Sequence, residues 1–160
     1  MGKKFELTEN YVVNEFGTKL YQIKCTKTFE YAKEGERGGY IEKEENLSQE
    51  GDAWVSGNAR VYGDAWVSDN ALVSGNAFLK SDADHCGFDC FGSSNRHTHA
   101  YLTRDNTVEI TCGCFRGSIE EFEKRVKNTH AGTVYENQYN AIINVIKIKF
   151  GSAQRQNRQV

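Results

Sequence analysis

A chain of 160 residues, 38% hydrophobic and 26% charged, can form one ordinary core or two small ones. Its formal net charge of −2 disfavours general nucleic-acid binding, because nucleic-acid binders usually carry a basic surface. No stretch of 18 apolar residues occurs, so we expect no membrane span. The five cysteines, with no apolar signal segment before them, predict reduced thiols in a cytoplasm.

Residues 1–50 are predicted to form a β-rich cap and a link. The stretch YVVNEFGTKLYQIKC contains two apolar runs separated by residues 14–17, a pattern typical of a β-hairpin. Gly38-Gly39 then indicates a sharp change of direction. Ile41 and Leu47 are expected to begin an irregular first coil of the segment that follows.

Residues 51–86 contain a six-residue repeat, GDAWVS, GNARVY, GDAWVS, DNALVS, GNAFLK and SDADHC. A period of six fits neither an α-helix nor a continuous strand. It fits very short strands alternating with tight corners, because Gly-Asn and Gly-Asp tolerate left-handed backbone angles. With three hexads per coil, three vertical pairs are expected: Leu72 above Trp54, Phe78 above Arg60, and Asp84 above Trp66.

The repeat resembles the hexapeptide repeat of left-handed β-helices, in which three hexads make one triangular coil. The resemblance implies a short left-handed parallel β-helix of two to three coils, capped by the N-terminal β-hairpin. The order of KKFELTEN, TKLYQIKCTKTF, GERGGYIEKEENLSQEGDAWV, the hexads and GCFRGSIEEFEKRVKNTH is similar to that of phage and prophage accessory proteins. That likeness covers residues 3–150 and implies a fold and a location in the host bacterial cytoplasm, but no reaction.

The fourth position of each hexad is expected to point outward. Aromatic and aliphatic residues there would make an apolar patch, which predicts a homo-oligomer. The predicted interface residues are Trp54, Arg60, Trp66, Leu72 and Phe78. The alternative is that the C-terminal part of the chain covers the patch.

Residues 87–150 are predicted to form a ββαα domain, followed by a flexible tail at residues 151–160. The stretch HTHAYLTRDNTVEITCGCF predicts two strands around a turn with Asp105-Asn106 at its tip. Ser118 and Glu121 have the spacing of a capping box, so a helix is expected to begin there. The predicted fold is mostly β, with an α+β C-terminal part.

A polar loop and the end of the first predicted helix form a candidate ligand site. The stretch FGSSNRHTH combines hydroxyls, a guanidinium and imidazoles, a set that suits a phosphate or a carboxylate. The predicted ligand-binding residues are Ser93, Ser94, Arg96, His97, His99, Thr129 and His130. An ordinary polar loop is the alternative interpretation.

The same hairpin also offers a possible zinc site. With a two-residue turn, His99 would face Cys112 and His97 would face Cys114, which would gather two imidazoles and two thiols. The spacing is atypical of structural zinc sites, and a slip of one residue would scatter the four side chains. We therefore expect no metal and no cofactor.

The sequence also offers two catalytic alternatives. Many hexapeptide β-helices are acyltransferases, but the five full hexads here contain no histidine. Cys114 lies shortly before a helix cap, so its thiolate could act as a nucleophile with His97 or His130 as the base. No orienting residue can be named, so no catalytic residue is predicted. The predicted function is a non-catalytic accessory protein that counteracts a host defence system by sequestering an anionic nucleotide-type signal or by binding a host protein.

Overall fold

The computed structural model describes residues 2–156, which divide into two units at the bond between His85 and Cys86. The first unit is built from β-strands and two short 3₁₀ turns. Its strands are β1 (Phe5–Val13), β2 (Lys19–Cys25), β3 (Arg37–Ile41), β4 (Trp54–Val55), β5 (Arg60–Val61), β6 (Leu72–Val73) and β7 (Phe78–Leu79).

Asn14 closes the predicted N-terminal hairpin, in which β1 and β2 pair antiparallel. Its side-chain oxygen accepts hydrogen bonds from the backbone N–H groups of Phe16 and Thr18, each at 2.9 Å. Gly17 follows with a φ of 81°, a left-handed conformation that glycine adopts without a steric penalty. The residues that indicated a turn in the sequence are therefore the ones that form it.

Paired residues of the hexads lie on parallel strands and are 18 positions apart in the chain. Ser56 and Ser74 have the same spacing, and their hydroxyl oxygens are 3.0 Å apart. Trp54 lies beside Leu72, and Arg60 lies beside Phe78. Two of the three predicted vertical pairs are therefore confirmed. The narrow interior is filled by the alanines of the first five hexads, all buried: Ala53, Ala59, Ala65, Ala71 and Ala77. Ala83 of the sixth hexad is exposed.

The sheet that continues from the hairpin is mixed, with the strand order β1-β2-β3-β5-β7. β2 and β3 pair antiparallel, whereas β3 pairs parallel with β5, and β4 pairs with β6 in a separate sheet. Ile41 lies beside Val61, and Leu47 lies beside Val67. In both pairs the partners are farther apart in the chain than the paired residues of the hexads. The irregular first coil therefore begins at the predicted residues, and one side of the repeat continues the hairpin sheet.

The sixth hexad departs from the repeat, so the prediction that Asp84 lies above Trp66 is wrong. The backbone N–H of Trp66 donates instead to the carboxylate of Asp82, at 2.9 Å. The carboxylate of Asp84 accepts from the backbone N–H groups of Lys80 and Ser81 and holds a 3₁₀ turn. Acidic side chains that bond the local backbone therefore end the ladder here.

The predicted outward patch is smaller than expected because Trp54 is fully buried. Its ring meets the ring of Phe29 edge-on at 5.4 Å, and the ammonium of Lys4 lies 5.0 Å from the Phe29 ring centroid. Trp66 is 54% exposed. The remaining predicted interface residues are partly exposed: Arg60, Leu72 and Phe78. Trp54 therefore belongs to the core of the first unit, and its placement in an interface is wrong.

The second unit is a sheet of order β11-β10-β9-β8 followed by two helices. Its elements are β8 (His85–Phe91), β9 (Arg96–Leu102), β10 (Val108–Cys112), β11 (Phe115–Ser118), α1 (Ile119–His130) and α2 (Val134–Gln156). The predicted capping box starts α1: Glu121 N–H donates to the Ser118 hydroxyl at 3.1 Å, and Ser118 N–H donates to the Glu121 carboxylate at 2.8 Å.

The C-terminal domain has more strands than the predicted ββαα arrangement. β8 begins at His85 and Cys86, the last two residues of the predicted repeat, and continues through residues 87–91, where no strand was predicted; β11 occupies the short stretch before the helix cap. Both gain strand structure by joining the predicted hairpin at its two edges. Helix α2 continues through Gln156, so residues 151–156 of the predicted flexible tail are helical, while residues 157–160 lie outside the described residues. No helix in the described part of the chain has the length and apolar character needed to cross a membrane.

Candidate ligand-binding site

A cavity of about 200 Å³ lies within the second unit, at the end of the sheet where β9 begins and β10 turns into β11. The loop between β8 and β9 forms one wall, and α1 and α2 form the others. Five of the predicted ligand-binding residues line it: Ser93, Ser94, Arg96, Thr129 and His130.

Two arginines reach the cavity from different elements. Arg96 precedes the buried Thr98 on the face of β9 that packs on the helices, and its guanidinium lies against Gly113, where a Cβ would collide with it. Arg125 lies on α1 one turn before Thr129, so both side chains share one face of the helix. Among the described residues, neither guanidinium forms an ion pair with a carboxylate. The cavity therefore has two positive charges that no acidic side chain in the described part of the protein pairs with.

The loop between β8 and β9, residues 92–95, is called the serine loop and is held by helix α2. The backbone N–H of Gly92 donates to the side-chain oxygen of Gln138 at 3.0 Å. Gly92 has a φ of 77°, and a Cβ added there would collide with the hydroxyl of Tyr139. Ser93 and Ser94 follow directly and are exposed at the cavity. Their hydroxyls are therefore presented by a loop whose start is fixed against α2.

A row of aromatic rings forms the floor of the cavity. The rings of Phe115 and Phe122 have centroids 5.1 Å apart, and Phe122 meets Tyr139 edge-on at 5.6 Å. Tyr139 stacks on His130 at 5.4 Å with an interplanar angle of 27°. The guanidinium carbon of Arg125 lies 5.8 Å from the Phe115 centroid, a distance typical of a cation–π contact. The cations at the cavity therefore border a continuous aromatic surface.

Tyr139 keeps its phenolic proton in this site. The pKa of Tyr139 is raised to about 12, mainly by burial and also by the neighbouring thiol of Cys112, while the charge of Arg96 opposes the shift. The sulfur of Cys112 lies 3.8 Å from the Tyr139 hydroxyl and accepts a hydrogen bond from Thr98 at 3.3 Å. The buried polar atoms behind the aromatic floor are therefore bonded to each other.

His97 and His99 do not reach the cavity, because they alternate with Arg96 and Thr98 and point to the other face of β9. The Nδ1 atom of His97 lies 2.6 Å from a carboxylate oxygen of Asp89, and its Nε2 atom lies 3.0 Å from Nδ1 of His99. The two imidazoles stack with centroids 5.2 Å apart. Their assignment as ligands of the same site as Arg96 is therefore wrong.

The proposed zinc cluster is scattered by a register one residue away from the predicted one. Cys112 lies opposite Thr98, and His99 lies opposite Thr111, because β9 and β10 are joined by the longer loop 103–107. Cys112 consequently faces the helices, away from the histidines. No group of three or more His, Cys, Asp or Glu side chains within the described residues is arranged to hold a metal ion.

Part of the cavity lining lies outside the predicted ligand-binding residues. Arg125, Phe115, Phe122 and Tyr139 line it and were not predicted as ligand residues. The spacing of Arg125 and Thr129 on one helix face was the available signal, since Thr129 was already assigned to the site. Cys114 is exposed and lines the cavity with His130, whereas His97, the other base considered for it, does not.

The comparisons with protein-family models and with curated proteins found no relative of this chain. No protein-family model matches the chain, and no curated protein is similar enough to it to count as a match. The chemistry of the cavity therefore has to be inferred from its own residues.

Proposed function

We propose that this chain is a non-catalytic binding protein whose second unit sequesters a small anionic ligand in the cavity between the serine loop and α1. The observation that carries the proposal is the approach of Arg96 and Arg125 to one cavity without carboxylate partners in the described chain. An anion in the cavity gains Coulomb attraction from both guanidinium groups. The hydroxyls of Ser93, Ser94 and Thr129 add neutral donors for the remaining oxygens.

The wider role follows from the resemblance of the sequence to phage and prophage accessory proteins. Such a protein would act in the host bacterial cytoplasm and counteract a defence system by removing a nucleotide-type signal. The ladder of Trp54 with Leu72 and of Arg60 with Phe78 supports a short left-handed β-helix for the hexads, because three-hexad coils produce that spacing. We propose that this part serves as a scaffold, with assembly into a homo-oligomer through exposed repeat residues such as Trp66.

Calorimetry of the purified full chain with inorganic phosphate, pyrophosphate and nucleotides tests the binding function. Charge-assisted hydrogen bonds are worth about 1.5–3 kcal/mol each, so Arg96→Ala and Arg125→Ala should each weaken binding about tenfold or more. Arg116→Ala is the matched control, because Arg116 is exposed, pairs with Glu109 and lies outside this cavity. It removes the same charge and should leave the affinity unchanged.

Three results would contradict the proposal. Equal losses in all three arginine variants would mean a diffuse charge effect without a site. Conversion of a bound nucleotide, detected by chromatography after incubation, would contradict the non-catalytic role. Absence of binding heat with every anion, together with stoichiometric capture of a host protein that depends on Trp66, would show that the chain binds a protein instead.

A further inference from the structure

We infer that the cavity is built for a nucleoside monophosphate, with its phosphate at Arg96 and the serine loop and its base on the ring of Phe115. The inference rests on the proposed function, because it divides the same cavity into two parts. Each part has its own chemistry in the structure, and the two can be tested separately.

The polar part is formed by Arg96, Ser93 and Ser94. Arg96 has its guanidinium against Gly113, so the side chain is directed by the backbone of the β10–β11 turn. The serines follow Gly92, whose N–H is anchored to Gln138. A guanidinium fork beside two hydroxyls matches the several oxygens of a terminal phosphate better than the two oxygens of a carboxylate.

The aromatic part is formed by Phe115 at the accessible end of the ring row. Phe122 and Tyr139 are 3% and 5% exposed, so their rings are buried, whereas the ring of Phe115 is only half-buried. The guanidinium of Arg125 lies over Phe115 at 5.8 Å. An inorganic anion gains nothing from such a surface, whereas a planar base stacks on an aromatic ring and on a guanidinium plane.

The size of the cavity limits the ligand. Its volume of about 200 Å³ lies below the roughly 300–1,000 Å³ of pockets that enclose drug-sized ligands. One phosphate and one base can be held, partly open to solvent, but a dinucleotide could not be enclosed. The structure therefore assigns a free mononucleotide.

Four probes separate the two parts of the cavity: adenosine 5′-monophosphate, ribose 5-phosphate, adenosine and inorganic phosphate. Base stacking on an aromatic ring is worth about tenfold or more in affinity. The monophosphate should therefore bind at least about tenfold more tightly than ribose 5-phosphate, which has the same phosphate without a base. Adenosine and inorganic phosphate should also bind more weakly than the monophosphate, because each of them, like ribose 5-phosphate, engages only one part.

Two variants make the assignment specific. Phe115→Leu keeps apolar bulk but removes the ring, so it should lower the affinity for the monophosphate to near that for ribose 5-phosphate and leave the latter unchanged. Arg96→Ala should weaken both ligands. Phe16→Leu is the matched control, since Phe16 is 77% exposed at the tip of the N-terminal hairpin, in the other unit.

The outcomes distinguish this inference from the proposed function. Equal affinities for the monophosphate and ribose 5-phosphate, both reduced by Arg96→Ala, would leave an anion site and overturn the nucleotide assignment. Equal losses of both ligands in Phe115→Leu would show a purely structural ring and also overturn it. Absence of binding by all four probes would overturn both proposals. A 5′-phosphorylated oligonucleotide that binds more tightly than the monophosphate would assign a nucleic-acid end in place of a free nucleotide.

Discussion

Trp54 and Leu72 lie opposite each other on the parallel strands β4 and β6, although three whole hexads separate them in the chain. The same face of the ladder is covered by Phe29, whose ring meets Trp54 edge-on at 5.4 Å. The indole ring is fully buried, and its Nε1 atom has no hydrogen-bond partner within the described residues. Trp54 therefore joins the repeat to the segment between β2 and β3.

Trp54→Ala should destabilise the first unit strongly. Truncating a buried aromatic residue costs about 3–5 kcal/mol, because it removes apolar contacts and leaves a cavity. Trp66→Ala is the matched control: it removes the same side chain from a position that is 54% exposed and should cost less than about 1 kcal/mol. Urea unfolding followed by the fluorescence of the remaining tryptophan measures both. Similar losses in the two variants would contradict the burial of Trp54.

Lys4 predicts an unusual pH dependence of the same unit. Its ammonium donates to the backbone oxygens of Gly51 and Ala53 at 3.1 and 2.8 Å. Burial lowers the pKa of Lys4 from 10.5 to about 8, against the opposing charge of Asp52. Between these two values the unfolded chain binds more protons than the folded one, so the free energy of unfolding should rise with pH, by up to about 3 kcal/mol.

The Lys4→Met variant isolates this effect, because it keeps an apolar stem and lacks the titrating group. The difference in unfolding free energy, wild type minus variant, should increase from pH 8 to pH 10.5 and should be constant below that window. A difference that falls across the window would mean that the carbonyl oxygens stabilise the ammonium more than burial disfavours it.

The regular part of the fold could be predicted because its signals are local. The hexad period fixed the pairing of Trp54 with Leu72, and the turn residues around Asn14 fixed the first hairpin. The burial of Trp54 could not be predicted in this way. It depends on Phe29, which belongs to a stretch without periodicity and reaches the ladder only through the tertiary fold.

The candidate site was half predictable for a similar reason. Arg96 and the serines are neighbours in sequence, so their proximity required no tertiary information. The histidines were misplaced because His97 and His99 alternate with Arg96 and Thr98 along β9 and therefore point to the opposite face of the strand. Loop 103–107 sets the register of β10 one residue away from the predicted one, which separates Cys112 from His99. The aromatic floor joins β11, α1 and α2, and no local pattern places three separate elements around one cavity.

Gly92→Ala should destabilise the second unit more than Gly132→Ala. The two glycines have φ values of 77° and 76°, so an alanine meets the same backbone strain at both positions, about 1–3 kcal/mol. A Cβ at Gly132 meets nothing within 4 Å, whereas a Cβ at Gly92 collides with the hydroxyl of Tyr139. The difference between the two variants therefore reports the contact of the serine loop with α2.

Thermal unfolding followed by helical circular dichroism measures this difference, because both helices lie in the second unit. Gly92→Ala should also weaken binding of the anion probes, since it displaces the serines that follow. Equal stability of the two variants would mean that the loop is not packed on Tyr139.

Tyr139 gives a prediction in alkaline solution that reports on the site itself. Burial raises the pKa of Tyr139 from 10 to about 12, and the charge of Arg96 limits that rise. Above pH 10 the unfolded chain loses this proton while the folded chain keeps it, so the folded state binds more protons. The free energy of unfolding of the second unit should therefore fall as the pH rises from 10 to 12, by up to about 3 kcal/mol relative to Tyr139→Phe.

The ultraviolet absorbance of tyrosinate measures the same ionisation directly. The difference between wild type and Tyr139→Phe isolates one phenol from the other tyrosines, and its midpoint should lie near pH 12. In an Arg96→Ala background that midpoint should move still higher, because the opposing positive charge is gone. An unchanged midpoint would show that Arg96 does not lie near the Tyr139 phenol, and it would remove the arginine from the cavity on which the proposed function rests.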